Sequence, residues 1–241
     1  MKRFGLLSEI DVDNPSSYEK VFLTFDVDWA SDFVLEYSIS LVEKANVKVT
    51  WFVTHDTPLL ERLRKNPMFE LGIHPNFNAL FDGDFSYGKN YCEVLEYFLK
   101  IVPEAKVMRS HCLAVSSRML GYAKSLGITH DSNICVPIMA KGAKVLMPFI
   151  NWDGLIRCPY HFADDVACMY GEKISLKEKF EKYQHLIFGF HPIHIFLNTA
   201  SLEQYEGARP YFNDSILLQS FRNGGQGAES ILKEVLNWDK L

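Results

Sequence analysis

Val21-Phe22-Leu23-Thr24-Phe25-Asp26-Val27-Asp28-Trp29 is the stretch on which the fold turns: an apolar, aromatic and β-branched run that stops at two carboxylates spaced two apart. A continuous apolar run followed by the amphipathic pattern from Asp32 to Ala45 predicts a strand buried on both faces feeding a helix. The unit recurs. Further strands are expected at Val47–Val53, Phe69–Ile73, Ala105–Met108, Ile128–Asp131, Gly154–Cys158 and Leu186–Phe190. Helices are expected at Pro58–Lys65, Tyr91–Val102, Ser116–Leu126 and Leu176–Gln184. Repeated βα units imply a mainly parallel α/β sheet with right-handed crossovers, and seven strands suit either an open doubly wound sheet or a barrel.

The residues just past each strand are more telling. Asp26 and Asp28 come after the first, His55 after the second, His74 and Asn78 after the third, Arg109 and His111 after the fourth, Asp131 after the fifth, His161 with Asp164 and Asp165 after the sixth, and His191 with His194 after the seventh. In parallel α/β folds the carboxyl ends of the strands share the face that carries chemistry. Seven of the eight histidines, His55, His74, His111, His130, His161, His191 and His194, are therefore expected near one rim.

Composition narrows the class. The 241 residues carry 25 Lys plus Arg against 30 Asp plus Glu, a formal charge of −5. With no concentrated basic patch, a general nucleic-acid or anionic-membrane binder is disfavoured. Apolar residues make up 48% and no stretch reads as a linker, so one domain over 1–241 is expected. Phe4 to Leu7 is too short for a secretory core, and Leu186 to Leu197 is too short to span a bilayer. Five scattered cysteines without a Cys-x-x-Cys pair fit free thiols in a reducing cytoplasm.

Asp26 and Asp28 share a face if the chain stays extended and can divide the labour between a base and a cation ligand; as a pair they equally suit capping of the following helix. His74 and Asn78, four apart, can grip one ion if the chain turns helically after Pro75, or can simply belong to a His-Pro loop. Arg109 offers a permanent cation for a carboxylate, in catalysis or in a plain ion pair. His191 suits a general acid, and also suits a buried neutral ring.

Taken together, Thr24-Phe25-Asp26-Val27-Asp28, the strand Val49–Thr54, His74 to Asn78, Arg109 to Cys112, Asp131-Ser132 and Phe190-His191-Pro192-Ile193-His194 resemble the polysaccharide deacetylase family (NodB homology, carbohydrate esterase family 4), and within it deacetylase-like proteins of O-antigen type gene clusters. The resemblance implies a distorted (β/α)7 barrel. It implies Asp26 as catalytic base, Arg109 as the residue orienting it and His191 as general acid. Asp28, His74 and Asn78 would hold a divalent metal, Zn²⁺ first and Co²⁺ or Ni²⁺ next. His111 and Cys112 would meet the substrate, an acetylated sugar, sugar nucleotide or glycan, and the aromatics Trp29 and Trp152 would suit stacking on its ring or, equally, packing. The implied reaction is hydrolysis of an N-acetyl group from an amino sugar.

The pattern departs from the family at three places. Asn78 stands where a second histidine is usual, Arg-Ser-His-Cys replaces Arg-Pro-Pro-Tyr, and the fourth motif has only Asn151-Trp152-Asp153 or His161 to Asp165 as candidates. These departures keep two other readings open: a sugar-binding protein on the same barrel without turnover, and a hydrolase of a small non-sugar amide.

Overall fold

The computed structural model describes residues 4–170 and 176–237. Among the described residues there are ten strands: β1 (Phe4–Gly5), β2 (Val21–Asp26), β3 (Val49–Val53), β4 (Phe69–Ile73), β5 (Val107–Met108), β6 (His130–Asp131), β7 (Phe149–Ile150), β8 (Ile156–Arg157), β9 (Phe162–Ala163) and β10 (Leu186–Phe190). The helices are α1 (Pro15–Tyr18), α2 (Asp32–Ala45), α3 (Leu59–Lys65), α4 (Asn78–Phe81), α5 (Tyr91–Ile101), α6 (Ser117–Ser125), α7 (Asp164–Tyr170), α8 (Leu176–Lys182), α9 (Pro192–Leu197), α10 (Leu202–Ala208), α11 (Ser215–Ser220) and α12 (Ala228–Leu236).

The sheet runs β7-β8-β6-β5-β4-β3-β2-β10-β9, with β1 beside the start of β2. Every pairing is parallel except β7 with β8. The path closes on itself, because β8 and β9 are two parts of one run, residues 156–163. Along one side this run bonds to β6 and the chain on either side of it: Ile156 N–H to Thr129 O, Cys158 N–H to Asp131 O, Tyr160 N–H to Ile134 O. Toward its other end His161 N–H bonds to Ile187 O, and β9 pairs with β10. The result is a distorted (β/α) barrel of seven strands, β2, β3, β4, β5, β6, the run 156–163 and β10.

Alternation along the strands builds two cores. Val21, Leu23 and Phe25 point outward against the helices, beside Val34, Leu35 and Ile39 of α2. Phe22, Phe52, Val107, Tyr160 and Ile187 point inward, and Leu7 and Ile10 plug the amino end of the barrel. This explains the unbroken burial of β2, which packs on both faces. The next inward rung after Phe22 and Thr24 is Asp26, so the period of two carries the carboxylate to the top of the interior.

The sequence reading places β2, β4, α2 and β10 within a residue of their observed bounds. The expected strands at 105–108, 128–131 and 154–158 are shorter in the structure, because only two residues of each pair regularly. β7 and the helices after His194 are additions that the sequence pattern does not announce. Among the described residues no helix is long and apolar enough to cross a membrane, and all five cysteines are free.

Candidate active site

The strands deliver their polar ends to one rim. Asp26 is the last residue of β2, while His74, Arg109 and His191 directly follow β4, β5 and β10. Asp164 opens α7 immediately after β9. Asp28 and Trp29 both have left-handed backbone, φ 45° and 53°, and so do Cys112 and Leu113 at 52° and 57°. Consecutive left-handed residues other than glycine cost of order 1–3 kcal/mol each and persist where surroundings over-determine them. Here Trp29 N–H donates to Thr54 Oγ1 at 3.0 Å, and Ala30 N–H to Val27 O at 3.0 Å. The turn swings Asp28 back over the barrel mouth.

Arg109 lies wholly inside the barrel, with its guanidinium between the rings of Phe52 (4.6 Å) and Tyr160 (4.1 Å). It donates to Thr24 Oγ1 at 2.8 Å, Asp26 Oδ1 at 2.9 Å, and both the carbonyl and hydroxyl of Ser132 at 3.1 and 2.9 Å. A buried cation satisfied this fully fixes the carboxylate it faces. Gly189 leaves room for it, since a Cβ there would meet Arg109 Nη1 at 3.4 Å and Phe162 O at 3.3 Å.

Asp28 Oδ1 sits 3.1 Å from His74 Nε2 and 3.1 Å from His111 Nδ1. Burial works to raise the Asp28 pKa, but the hydrogen bonds from His111 and His74 overcome it and hold the carboxyl well below its ordinary range. Asp28, His74 and His111 bring their donor atoms within 4.8 Å of one another, a group able to hold a metal ion. Asn78 lies beside them. Its Nδ2 donates to the carbonyl of His111 at 3.3 Å, and His111 N–H donates to Pro75 O at 3.0 Å. Asn133 Oδ1 accepts from Ser110 N–H (2.8 Å) and Ser110 Oγ (2.6 Å). His111 is thus clamped on both sides of its backbone.

On the opposite wall His191 Nδ1 meets Asp164 Oδ1 at 2.6 Å, and its backbone N–H donates to Asp164 Oδ2 at 2.8 Å. Nε2 faces Asp28 Oδ2 at 3.6 Å and Asp26 Oδ2 at 3.8 Å. Burial disfavours the charged ring, but Asp164 first, then Asp165 and Asp28, hold the His191 pKa well above the ordinary value. Asp164, His191 and His194 form a second group of donors within 4.8 Å; its closest contact is the His191–Asp164 hydrogen bond. A cavity of about 480 Å³ opens over Asp28 and His191, bordered also by Trp29, His194, Tyr205 and Arg209.

The structure therefore brings together Asp26, Asp28, His74, Arg109, His111 and His191, with Trp29 on the cavity wall. Cys112 is exposed next to His111, and burial with the charges of Asp28 and Asp165 pushes its thiol up, away from a reactive thiolate. Trp152 is elsewhere. It sits 80% exposed in the turn between β7 and β8, at the amino end of β8 and so on the opposite rim. Of the seven histidines, His130 opens its strand rather than following it and bonds to Ile10 O in the plug, while His161 is engaged by Leu146 O and Ile187 N–H. His55 bonds to the Thr54 hydroxyl.

Sequence reasoning misses Tyr205 and Arg209, because it carries no helix beyond His194. The available signal is Ser201-Leu202-Glu203-Gln204: Ser201 Oγ accepts from Gln204 N–H, and Gln204 Oε1 accepts from Ala200 N–H, a variant of the Ser-x-x-Gln helix start.

Residues 23–209 match a family described as WbmS-like polysaccharide deacetylase. At 39% identity and a TM-score of 0.91, over 98% of both chains, the protein is similar to one from Bordetella bronchiseptica whose 1.90 Å crystal structure is assigned to a polysaccharide deacetylase involved in O-antigen biosynthesis. A structure from Mycobacterium smegmatis, also assigned as a polysaccharide deacetylase, aligns at 14% identity with a TM-score of 0.41 over 92% of this chain and 91% of that one. No curated protein matches the sequence.

Proposed function

The chain belongs to the WbmS-like polysaccharide deacetylase family, and on that premise we propose that it is a metal-dependent hydrolase removing the N-acetyl group from an amino sugar of an O-antigen type surface polysaccharide or its precursor. The observation that carries this reading is the meeting of Asp26, anchored by Arg109, with His191, anchored by Asp164, across Asp28.

One carboxylate and two imidazoles are a donor set of catalytic zinc sites, so Asp28, His74 and His111 would hold the ion, with Zn²⁺ first and Co²⁺ or Ni²⁺ as substitutes. In this proposal His111 takes the third position that the resemblance gave to Asn78, because His111 Nδ1 lies 3.1 Å from Asp28 Oδ1 within the donor group, while the Asn78 amide nitrogen donates to the His111 carbonyl and so holds that residue in place. When bound, the ion supplies Lewis acidity to the acetyl carbonyl and acidifies a water.

The protein's own groups do the rest. Asp26 accepts a proton from the attacking water, and Arg109 keeps its carboxylate aimed through a 2.9 Å hydrogen bond. The water oxygen bonds to the acetyl carbon, and the carbon–nitrogen bond breaks. His191, protonated through its contact with Asp164, gives its Nε2 proton to the departing amine nitrogen. Acetate and an amino sugar leave.

Acetate release from a panel of N-acetylated sugars, sugar nucleotides and glycans, by protein loaded with zinc, cobalt or nickel, tests the proposal. Asp26→Asn should bind metal as the parent does and release no acetate. Metal bound by the parent with no acetate from any panel member would sink the enzyme reading and favour a sugar-binding protein without turnover.

A further inference from the structure

The proposed machinery uses His191 and leaves His194, one turn further along α9, without a role. Its ring is only 6% exposed. It stacks on Tyr205 at 4.6 Å between centroids and 19° between planes, and meets His191 edge-on at 5.6 Å. Nδ1 is fully buried and has no hydrogen-bond partner. Nε2 has no partner either among the described residues, and the ring borders the 480 Å³ cavity. An orphaned N–H in a dry setting is rarer than an unpaired acceptor, so the proton belongs on Nε2 and Nδ1 is left bare. His194 therefore presents a single, fixed N–H donor to the cavity. Tyr205 against its face and His191 edge-on to it hold the ring in that pose.

The rest of the cavity fits one kind of ligand. Trp29, Tyr205 and Phe212 give it aromatic faces of the sort that pack on the C–H faces of a sugar ring, and Asp165, Glu206 and Arg209 give it hydrogen-bonding groups. Its volume lies in the lower half of the roughly 300–1,000 Å³ typical of small-molecule sites. The chain after α9 walls one side of it, through Tyr205 and Glu206 of α10 and through Arg209. A volume of this size suits one pyranose with its acetamido group better than several successive units of a polymer.

We propose that this cavity receives a single acetamido sugar unit, free, carrier-linked or at a chain end, and that the Nε2–H of His194 donates to one of its hydroxyl oxygens, making His194 a specificity-determining residue of this site. The inference rests on the deacetylase reading for the identity of the acetamido group, but its test needs no turnover.

Zinc-loaded Asp26→Asn protein, which should leave the ligand intact, is titrated calorimetrically with N-acetylglucosamine, N-acetylgalactosamine, their UDP-linked forms and hexa-N-acetylchitohexaose. At least one single-unit ligand should bind, and the hexamer should bind no tighter than the best of them. Adding His194→Phe should weaken that ligand about tenfold, whereas His194→Gln, which keeps an N–H donor, should restore most of the loss. Within a series of deoxy analogues of the best ligand, one should lose as much affinity as His194→Phe costs, and combining the two should cost no more than either alone. The deoxy series holds even if His194→Phe proves unstable in a thermal melt. Absence of binding by every single-unit ligand, much tighter binding of the hexamer, or a deoxy series with no sensitive position would overturn the proposal. Sugar bound through His194 by a parent protein that releases no acetate would sink the deacetylase reading and leave this site standing.

Discussion

Asn78→Ala separates a metal ligand from a residue that holds one. The Asn78 amide donates to the His111 carbonyl at 3.3 Å, one of several restraints on that loop; the others are His111 N–H on Pro75 O and the two Ser110 bonds to Asn133. Removing groups that orient a ligand typically costs 10–100-fold in metal affinity, about 1.4–2.7 kcal/mol. Because the contact is long and the other restraints remain, Asn78→Ala should fall at the low end, about tenfold. His111→Ala deletes a donor outright and should cost far more than about a hundredfold. Zinc titration against a competing chelator gives both affinities, and the visible spectrum of the cobalt protein reports whether the coordination survives. In Asn78→Ala the cobalt spectrum should keep its shape, and in His111→Ala it should change. A greater loss in Asn78→Ala than in His111→Ala would refute the reasoning and make Asn78 the ligand.

The same contacts support other expectations. Arg109→Met strips the guanidinium hydrogen-bonded to the buried Asp26 carboxylate at 2.9 Å and should destabilise the fold by about 3–5 kcal/mol in urea; a loss below about 1 kcal/mol would show that the pair is not what holds the interior. Asp164→Asn should lower kcat with KM and zinc affinity unchanged, since it supports the proton donor and touches no proposed ligand; lost zinc would place Asp164 in the metal site instead. Stability should also fall with acid below pH 6.5. Burial drives the pKa of His161 down to about 3 and that of His185 to about 4, and His161 Nδ1 cannot take a proton without losing its bond from Ile187 N–H. Above pH 6.5 both rings are neutral folded and unfolded. Between pH 6.5 and 4 the unfolded chain binds protons that the fold refuses, at up to about 1.4 kcal/mol per pH unit for each ring. His185→Gln should reduce the slope of unfolding free energy against pH by about 1 kcal/mol per unit, and an unchanged slope would remove that ring from the account.

How much of the fold and site is legible in the sequence depends on the span of each signal. β2 and β10 are readable because Val21 to Phe25, broken only by Thr24, and Leu186 to Phe190, broken only by Gly189, are short apolar runs with few other fates. β5, β6 and β8 are only approximately so, because two paired residues leave no periodicity to read. Within the site, Asp26, Asp28, His74, Arg109 and His191 stand out as polar residues stopping apolar strands. His111 reads as a substrate contact because helical spacing from His74 favours Asn78. The left-handed backbone of Cys112 and Leu113, which shapes the loop just after His111, has no glycine to announce it. Trp152 is misplaced for a topological reason: a hairpin with β7 puts it before its strand, at the wrong end of the barrel.

Ring closure through residues 156–163 has a dynamic consequence. A sheet with free edges frays from them, whereas each strand of a closed ring is flanked on both sides and opens only when the whole ring does. The amides of β2, β4 and β10 should therefore exchange with solvent at rates set by global unfolding, and Asp26 and Arg109 keep their relative positions through every lesser fluctuation. The helical wall of the cavity is different. α10 is seven residues long, largely exposed, and tied down by Gln204 to Leu197 O and Phe221 O and by the Tyr205 ring on His194. Its amides should exchange far faster than those of the ring. Passage into and out of the cavity then falls to the exposed part of this wall, while the stack of Tyr205 on His194 ties its inner face to the strand ends beneath.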